Sequence, residues 1–342
     1  MGYIMPIAAN RQPESRATVV IVNWNGRALL SDTLHALRLQ TEPAFHTMIV
    51  DNGSHDGSVD YIKRHFPYID ILPLGWNAGF AHANNVAIEN VGTPYTLLLN
   101  NDAVPSRNWI SSLIAALDEN PLAGMAASKM LYFDDPGLID RVGDAYTTAG
   151  AGKLRGRKES ARRYNNVEWI FGACAGAAIY RTEALREVGC FDKDFFLINE
   201  DVDLSFRLQS RGYRCLFVPE AVVYHKASST IGHDSETSVY YGHRNLEWVF
   251  IKNLPLSLLI KMLPMHVIYN LAAMAFFFAR GHARTYLKAK RDALAGSLKM
   301  LKKRRIIQAT RRVDTAYLSS LITPENLISR KHIRRQAPEI NA

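Results

Sequence analysis

The stretch "ATVVIVNWNGRALLSDTLHALRLQTEPAFHTMIVDN" (residues 17–52) holds two short apolar runs separated by a segment of different period. "ATVVIVNW" is a β-branched run and predicts a strand. In "GRALLSDTLHALRLQ", Leu30, Leu34 and Leu37 recur at helical spacing, and "HTMIVDN" predicts the next strand. The alternation continues outward. "GSHDGSVDYIKRHF" predicts a helix whose Asp and Ser residues suit its start, and "IDILPL" a third strand. "NAGFAHANNVAIENV" predicts a helix with Ala and Val on one side, and "YTLLLN" a fourth strand. Strands separated by helices of this length predict βαβ units and a mostly parallel sheet.

In such a sheet ligands bind at the carboxyl ends of the strands. Here those ends are polar: Asn23 and Asn25, then Asp51 and Asn52, then Asn100, Asn101 and Asp102 in "TLLLNNDAVP". One such set alone is turn chemistry, because Asn and Asp favour turns. Three sets on one sheet edge describe a polar crevice.

The chain of 342 residues is long enough for one large domain or two smaller ones. Its 48% apolar and 21% charged residues exclude wholesale disorder. Cys174, Cys190 and Cys215 form no paired framework and no CxxC spacing; they point to a reducing compartment and to small buried side chains. The net charge of +9 is uneven: Arg280 to the end holds 16 Lys or Arg and 4 acids, a net +12, leaving −3 on the rest. A uniformly basic chain would suggest nucleic acid, whereas a basic end beside a slightly acidic body suggests attachment. Residues 1–16 lack a basic leader with a continuous apolar core and are expected to form a flexible tail.

From about Ala123 to Asn166 the pattern is less regular and is expected to form hairpins and loops around the site; the basic cluster from Arg155 to Arg163 either meets phosphates or lies in a solvated loop. "EDVDLSFRLQSRG" predicts a helix with acids at its entry and Gly212 past its end, where capping alone would account for Asp201 and Asp203. "YRCLFVPEAVVYH" predicts a strand pair interrupted by Pro219 and ending at His225. Phe191, Phe195 and Phe196 suit either a wall shielding the site or the core.

Together "VVIVNWNG", "IVDNGSHDGS", "WNAGFAHANN", "LLLNNDAVP" and "FFLINEDVDLSFRLQSRGYRCLFVPEAVVYH" resemble family 2 glycosyltransferases, nearest to their rhamnosyltransferase-like and galactofuranosyltransferase-like branch. The resemblance covers roughly residues 18 to 230 and rests on five motifs in order. It implies an α/β GT-A nucleotide-diphospho-sugar transferase fold, a mostly parallel central sheet flanked by helices, and inversion at the anomeric carbon. The family's acid-x-acid metal motif falls on Asn100, Asn101 and Asp102, so only the last is acidic. Its acidic pair falls on Glu200 and Asp201, with Asp201 as general base; its metal-completing histidine falls on His225, and its nucleobase-binding acid on Asp51.

On that basis Mg²⁺ or Mn²⁺ on Asp102 and His225 would neutralise the leaving diphosphate. Asp201 would take the acceptor's proton, and Glu200 would meet the acceptor or orient Asp201. Asn23, Asn25, Asp51, Asn52, Asn77, Asn100 and Asn101 would line the donor site. His225 as an unliganded core residue is the competing account. Asp51 can bind uracil or thymine alike, which leaves UDP- and dTDP-sugars both open as donors.

From Val249 the chain turns apolar but is broken by Lys252, Pro255, Lys261 and Pro264; the longest uncharged run, Met262 to Ala279, has 18 residues. A spanning helix needs about 20 mainly apolar residues. The run suits a helix or hairpin lying on a membrane, with Phe276 to Phe278 in lipid; packing against the catalytic domain or a dimer partner is the rival account. A polybasic segment follows, favouring anionic lipid.

The expected organisation is a tail (1–16), a catalytic domain (17–245, with a nucleotide-binding half to 105 and an acceptor half from 106), and an apolar then basic helical, membrane-associating region (246–342). The expected function is transfer from a nucleotide-diphosphate sugar, with rhamnose the first sugar the resemblance points to, to a lipid-linked or polysaccharide acceptor in cell-envelope synthesis, at the cytoplasmic face of a bacterial inner membrane. No nucleic acid partner is expected, and a homo-oligomer is compatible with the sequence. A nucleotidyltransferase would carry a Lys- or Arg-bearing glycine loop where "NWNGRALL" stands. A non-catalytic sugar-nucleotide-binding scaffold would not need its acids.

Overall fold

The computed structural model describes residues 15–226 and 235–325. Almost all of the expected N-terminal tail lies outside them.

The first half follows the sequence pattern. β1 (Ala17–Asn23), β2 (Phe45–Asp51), β3 (Asp70–Pro73) and β4 (Tyr95–Leu99) alternate with α1 (Arg27–Arg38), α2 (Ser58–His65) and α3 (Phe80–Asn90). The four strands pair in parallel in the order β4-β1-β2-β3. Helices cover both faces, so every second side chain points into a different core. Val19, Ile21, Ile49 and Leu97 pack with Leu30, Leu34 and Leu37 of α1. Val20, Val50, Leu72 and Leu98 pack with Ala81, Ala83 and Ala87 of α3. That double burial is why the strands are continuous apolar runs.

The second half completes the sheet. β5 (Ala103–Pro105) and α4 (Trp109–Glu119) lead to β6 (Ala123–Tyr132), a ten-residue strand. The less regular pattern expected from Ala123 therefore begins only after Tyr132. The short strands β7 (Ile139–Arg141), β8 (Asp144–Thr147), β9 (Gly152–Leu154) and β10 (Glu168–Ile170) precede β11 (Ala177–Arg181) and α5 (Thr182–Glu187). α6 (Glu200–Ser210) then leads into β12 (Arg214–His225). Among the described residues ten strands share one sheet, with the main path β10-β12-β6-β11-β4-β1-β2-β3. β11 runs antiparallel to both β4 and β6, and β12 runs parallel to β6.

The expected strand pair around Pro219 is one strand. Its register against β6 shifts between Val218 and Val222, and Pro219 falls within that irregularity, where its missing N–H removes no ladder bond.

Four helices follow: α7 (Glu236–Asn253), α8 (Leu256–Ala279), α9 (Ala283–Ala309) and α10 (Thr315–Ser320), ending in β13 (Ile322–Thr323). The expected boundary at 245/246 falls inside α7. Val249, Phe250, Ala293 and Met300 share a core with Val202 and Phe206 of α6. Lys252 does not expose the apolar run to solvent: it is 2% exposed and paired with Asp192 and Asp203. α8 touches the body along Leu258, Met262 and His266, and leaves Leu256, Ile260, Val267 and Leu271 exposed.

Candidate active site

Register builds the first wall of the site. Pairing of β1 with β2 sets Asn23 beside Asp51, so the two polar strand ends lie level. Asn23 is fully buried; its amide donates to Ser54 and Ser58 Oγ at 3.2 and 2.9 Å and accepts from Asn101 Nδ2 at 3.0 Å. Asn25, in the left-handed region at φ 50°, accepts from the His55 N–H at 2.8 Å. Asn52 bridges to Asn77 Oδ1 (3.0 Å) and the Ala78 N–H (2.8 Å). Asn23, Asn25, Asn52, Asn77 and Asn101 thus cross-link the loops that frame the crevice. Asp51 is different. It is 5% exposed, and its Oδ1 has no hydrogen-bond partner, so it offers a ready acceptor. Beside it Gly53, at φ 79°, lets the Trp76 backbone approach so closely that a Cβ would lie 2.7 Å from it.

Asp102 and His225 are brought together by backbone pairing. β5 runs antiparallel to β12 with Ala103 opposite His225, and the Lys226 N–H donates to the Asp102 carbonyl at 3.0 Å. His225 Nε2 lies 3.2 Å from Asp102 Oδ1, a buried carboxylate oxygen that accepts no aligned hydrogen bond. Two such atoms at roughly the ~3 Å spacing of neighbouring donors on one small cation fit a divalent ion. The other imidazole nitrogen, Nδ1, meets Asp140 Oδ2 at 3.0 Å, the carboxylate–histidine support common behind metal ligands. Burial works against a charge on His225, but the two flanking carboxylates outweigh it and raise its pKa above 6.5. Burial would also raise Asp140, yet the His225 hydrogen bond and the Arg141 charge bring it down to about 2.

The second wall holds Glu200 and Asp201 at the entry of α6. The preceding backbone is forced into positive φ at Phe196, Ile198 and Asn199 (64°, 65° and 68°), and α7 holds it there. Asn245 Nδ2 donates to the carbonyls of Phe195, Leu197 and Ile198 at 2.9, 2.8 and 2.7 Å; Asn199 Nδ2 donates to the Gly242 carbonyl at 3.2 Å. Phe191 and Phe195 are core residues, 2% and 0% exposed. Phe191 packs on Phe80 of α3, and Phe196 lies against Gly79, whose φ of 81° and missing Cβ admit the ring. Asp203 is no cap. Fully buried, it pairs with Arg207 (2.9 Å) and Lys252 (2.7 Å) and accepts from Asn253 at 2.8 Å.

The two walls join through side chains that sequence reading passed over. Arg141 follows Asp140 directly; its Nε lies 3.4 Å from Asp140 Oδ2, and its Nη1 donates to Cys174 Sγ at 2.9 Å. The ligand atoms of Cys174, Asp144 and Asp201 lie within 4.8 Å of one another. The guanidinium beside them already supplies positive charge, so this trio is a poorer cation site than Asp102 with His225. A row of polar side chains therefore leads from Asp102 through His225, Asp140, Arg141 and Cys174, with Asp201 within 4.8 Å of the Cys174 sulfur. Asn100 flanks it, its amide set beside Gly176 and its side chain making no hydrogen bond among the described residues.

Electrostatics separates the carboxylates. Burial and then the Asp201 charge push both Asp144 and Glu200 well above the usual range. Burial raises Asp201 too, but Arg141 and the backbone N–H groups of Val202 and Ala175 oppose it. All three acids are thus held above the usual range, and Asp201 is the one that Arg141 and two backbone N–H groups support most directly. Cys174 is more than apolar filling, since it accepts from Arg141 and from the Gly176 N–H (3.3 Å). Of the 155–163 cluster, Arg155 pairs with Glu168 and stacks on Tyr164, and Arg163 pairs with Glu159; both serve the local loop.

Comparison with known proteins gives the same picture. An L-rhamnosyltransferase of Mycobacterium tuberculosis, acting by its name on N-acetylglucosaminyl-diphospho-decaprenol, is 28% identical over 67% of this chain and 85% of its own. Poly-beta-1,6-N-acetyl-D-glucosamine synthase of Staphylococcus epidermidis is 24% identical over 75% of this chain and 62% of its own. Among solved structures, the Pyrobaculum calidifontis mannosyltransferase PcManGT, bound to GDP-Man and Mn²⁺, aligns with a TM-score of 0.53 at 18% identity, over 94% of this chain and 88% of its own. S. aureus TarS 1-349 aligns at 0.56 and 15% identity, over 95% and 93%. These likenesses show the GT-A fold. The family model "Glycosyl transferase family 2" matches residues 18–189, so this chain, a nucleotide-sugar glycosyltransferase, belongs to that family.

Proposed function

We propose that the protein is an inverting, metal-dependent transferase that moves a sugar, rhamnose in the first instance, from a dTDP- or UDP-linked donor to a lipid-linked glycan in cell-envelope synthesis. The observation that carries the reading is the row of polar side chains joining Asp102 and His225 at one end to Asp201 at the other. The named activity of the mycobacterial relative supports rhamnose as donor sugar and a polyprenyl diphosphate acceptor.

Asp102 and His225 would hold Mg²⁺ or Mn²⁺, which when bound supplies Lewis-acid stabilisation of the departing diphosphate. Asp51 accepts the N3–H of uracil or thymine through its open Oδ1. Asn100 faces the ribose or phosphates. Asp201 accepts the acceptor's hydroxyl proton as that oxygen bonds to the anomeric carbon; the carbon–diphosphate bond breaks on the opposite face, and its electron pair leaves with the diphosphate. Glu200, adjacent and held well above the usual carboxylate range by burial and the Asp201 charge, orients Asp201 or donates to the acceptor.

Residues 17–105 form the donor half and 106–245 the acceptor half, completed by the helices from 246 onward. α8 supports peripheral attachment at the cytoplasmic face of an inner membrane. It is 24 residues long and apolar enough to cross a bilayer, with only 11% of its apolar window buried. Yet His266 binds the Ala149 carbonyl and Glu247, and Asn270 accepts from Tyr286, which tie α8 lengthwise to the body. It therefore lies in the membrane plane. Phe277 packs on His243 and Tyr286, so Phe278 is the ring of that trio most open to lipid.

A thermal-shift panel of UDP-, dTDP- and GDP-sugars with and without Mn²⁺ tests the donor and the metal together. A Mn²⁺-dependent shift with a dTDP- or UDP-sugar is expected. Asp102→Ala should abolish transfer while the chain stays folded; near-normal turnover by that variant rejects the assignment.

A further inference from the structure

Where α7 ends and α8 begins, the C-terminal helices border an open surface cavity of about 430 Å³ lined by Arg304, Arg305, Arg311, Gln308, Ser257 and Leu256. It lies outside the polar path described above. Three guanidiniums on one small cavity repel one another unless counter-charge is supplied. None of the three has a carboxylate partner among the described residues. Their neighbours on the same helix differ: Lys299 and Lys303 are neutralised by Asp192 and Asp194, and nearby Arg312 by Glu187. Arg304 uses Nη1 on the carbonyls of Ile251 and Leu254, and Gln308 donates to the Asn253 carbonyl at 2.9 Å, so these two close the end of α7. Among the described residues Arg311 reaches the Thr315 hydroxyl alone, at 3.0 Å, and Arg305 is exposed. The first turn of α8 opens beside them with no acidic residue and no side-chain cap.

We propose that this cavity is a phosphate-binding site distinct from the donor site, and that Arg305 and Arg311 grip the phosphate group of an anionic phospholipid. Guanidinium forks match phosphate oxygens, and charge-assisted bonds of this kind are the strong ones. The lipid source follows from position. Leu256 both borders the cavity and, at 64% exposed, starts the apolar face that continues through Ile260 (61%). A phosphate held here stands where headgroups stand when that face meets acyl chains. The site would fix the rotation of α8 on the surface, which non-specific attraction cannot do.

The test uses the full chain, Arg305→Gln/Arg311→Gln, and the charge-matched control Arg284→Gln/Lys288→Gln at the far end of α9. Inorganic phosphate is titrated at constant ionic strength. Co-flotation is measured with vesicles of phosphatidylglycerol in phosphatidylcholine and with phosphatidylcholine alone. Wild type and control should bind phosphate and float with phosphatidylglycerol, while the Arg305/Arg311 variant loses roughly tenfold in both. Loss of phosphate binding with flotation unchanged keeps the site but overturns the lipid as its occupant. Equal phosphate binding by the variant, or equal loss in the control, overturns the site. Melting shifts with uridine or thymidine diphosphate should be the same in all three proteins, which separates this result from failure of the transferase reading.

Discussion

Burial raises the proton affinity of Asp201, and Arg141 with the backbone N–H groups of Val202 and Ala175 opposes that rise. Asp201→Asn should therefore lower kcat by ~10²–10⁴ with donor binding and melting temperature near wild type. A loss smaller than about tenfold would move the base elsewhere. At the other end of the path, Asp140 orients the His225 ring. Asp140→Asn should weaken Mn²⁺ binding by ~10–100-fold in a titration with nucleoside diphosphate present. Because the flanking carboxylates raise the proton affinity of His225, Mn²⁺ affinity in the wild type should also fall as pH drops through that raised pKa. Asp51, Asp102, Asp201 and His225 were all legible as residues from five ordered motifs. Asp140, Arg141 and Asp144 were not, because their stretch has no helical or strand period and their partners lie far away in the chain. The available signal was three charges set among Ile139, Val142 and Tyr146, which an exposed loop has no reason to carry.

At the scale of elements, the entry of α6 depends on α7. Three carbonyls with positive-φ residues among them converge on one buried Asn245 amide. Asn245→Ala leaves them without that donor, at about 1–3 kcal/mol of stability. The loop should then relax and misplace Asp201, lowering kcat while the donor KM changes little, since the donor cradle sits at the ends of β1 to β4. An equal rise in donor KM would mean the loop serves the donor instead. Helix and strand periods made the βαβ half readable, and Gly212 marked the end of α6. β12 was misread because Pro219 is a breaker in isolation, and only pairing with β6 shows that it stands where the register slips. Asp203 likewise looked like a cap, and its true partner Lys252 is nearly fifty residues away.

Across the whole molecule, the C-terminal helices are held by buried charges as well as by apolar contact. Burial would raise Glu247, but the His266 hydrogen bond and the Lys290 charge lower it to about 2, against 4.5 ordinarily. A depressed carboxylate stabilises the fold above its unfolded pKa, and that contribution fades as pH falls from 4.5 to about 2. Burial, then the Lys290 charge, lowers His243 from 6.5 to about 3, so the unfolded chain takes up a proton across that window which the folded chain refuses. Both terms act in one direction. Stability should decline from pH 6.5 downward, the Glu247 shift alone being worth on the order of 3 kcal/mol. Chemical denaturation at several pH values, followed by the emission of Trp248 in the α7–α9 contact, reads this directly. A flat profile between pH 7 and 4 would contradict it.

By itself the amino-acid order determined the βαβ rhythm, the polar strand ends, the acids at the start of α6 and the change of composition after Val249. These are local properties, written in the spacing of neighbouring side chains and in the backbone preferences of Asn, Asp and Gly. Tertiary structure alone decided which acids burial pushes above the usual range, that Asp140 and Arg141 join the two walls, and that Lys252, Lys299 and Lys303 neutralise acids of the catalytic body. Proton affinity and salt-bridge partnership depend on burial and on distances of a few ångströms between residues as far apart in the chain as Asp192 and Lys303, and no periodicity along the chain encodes those distances.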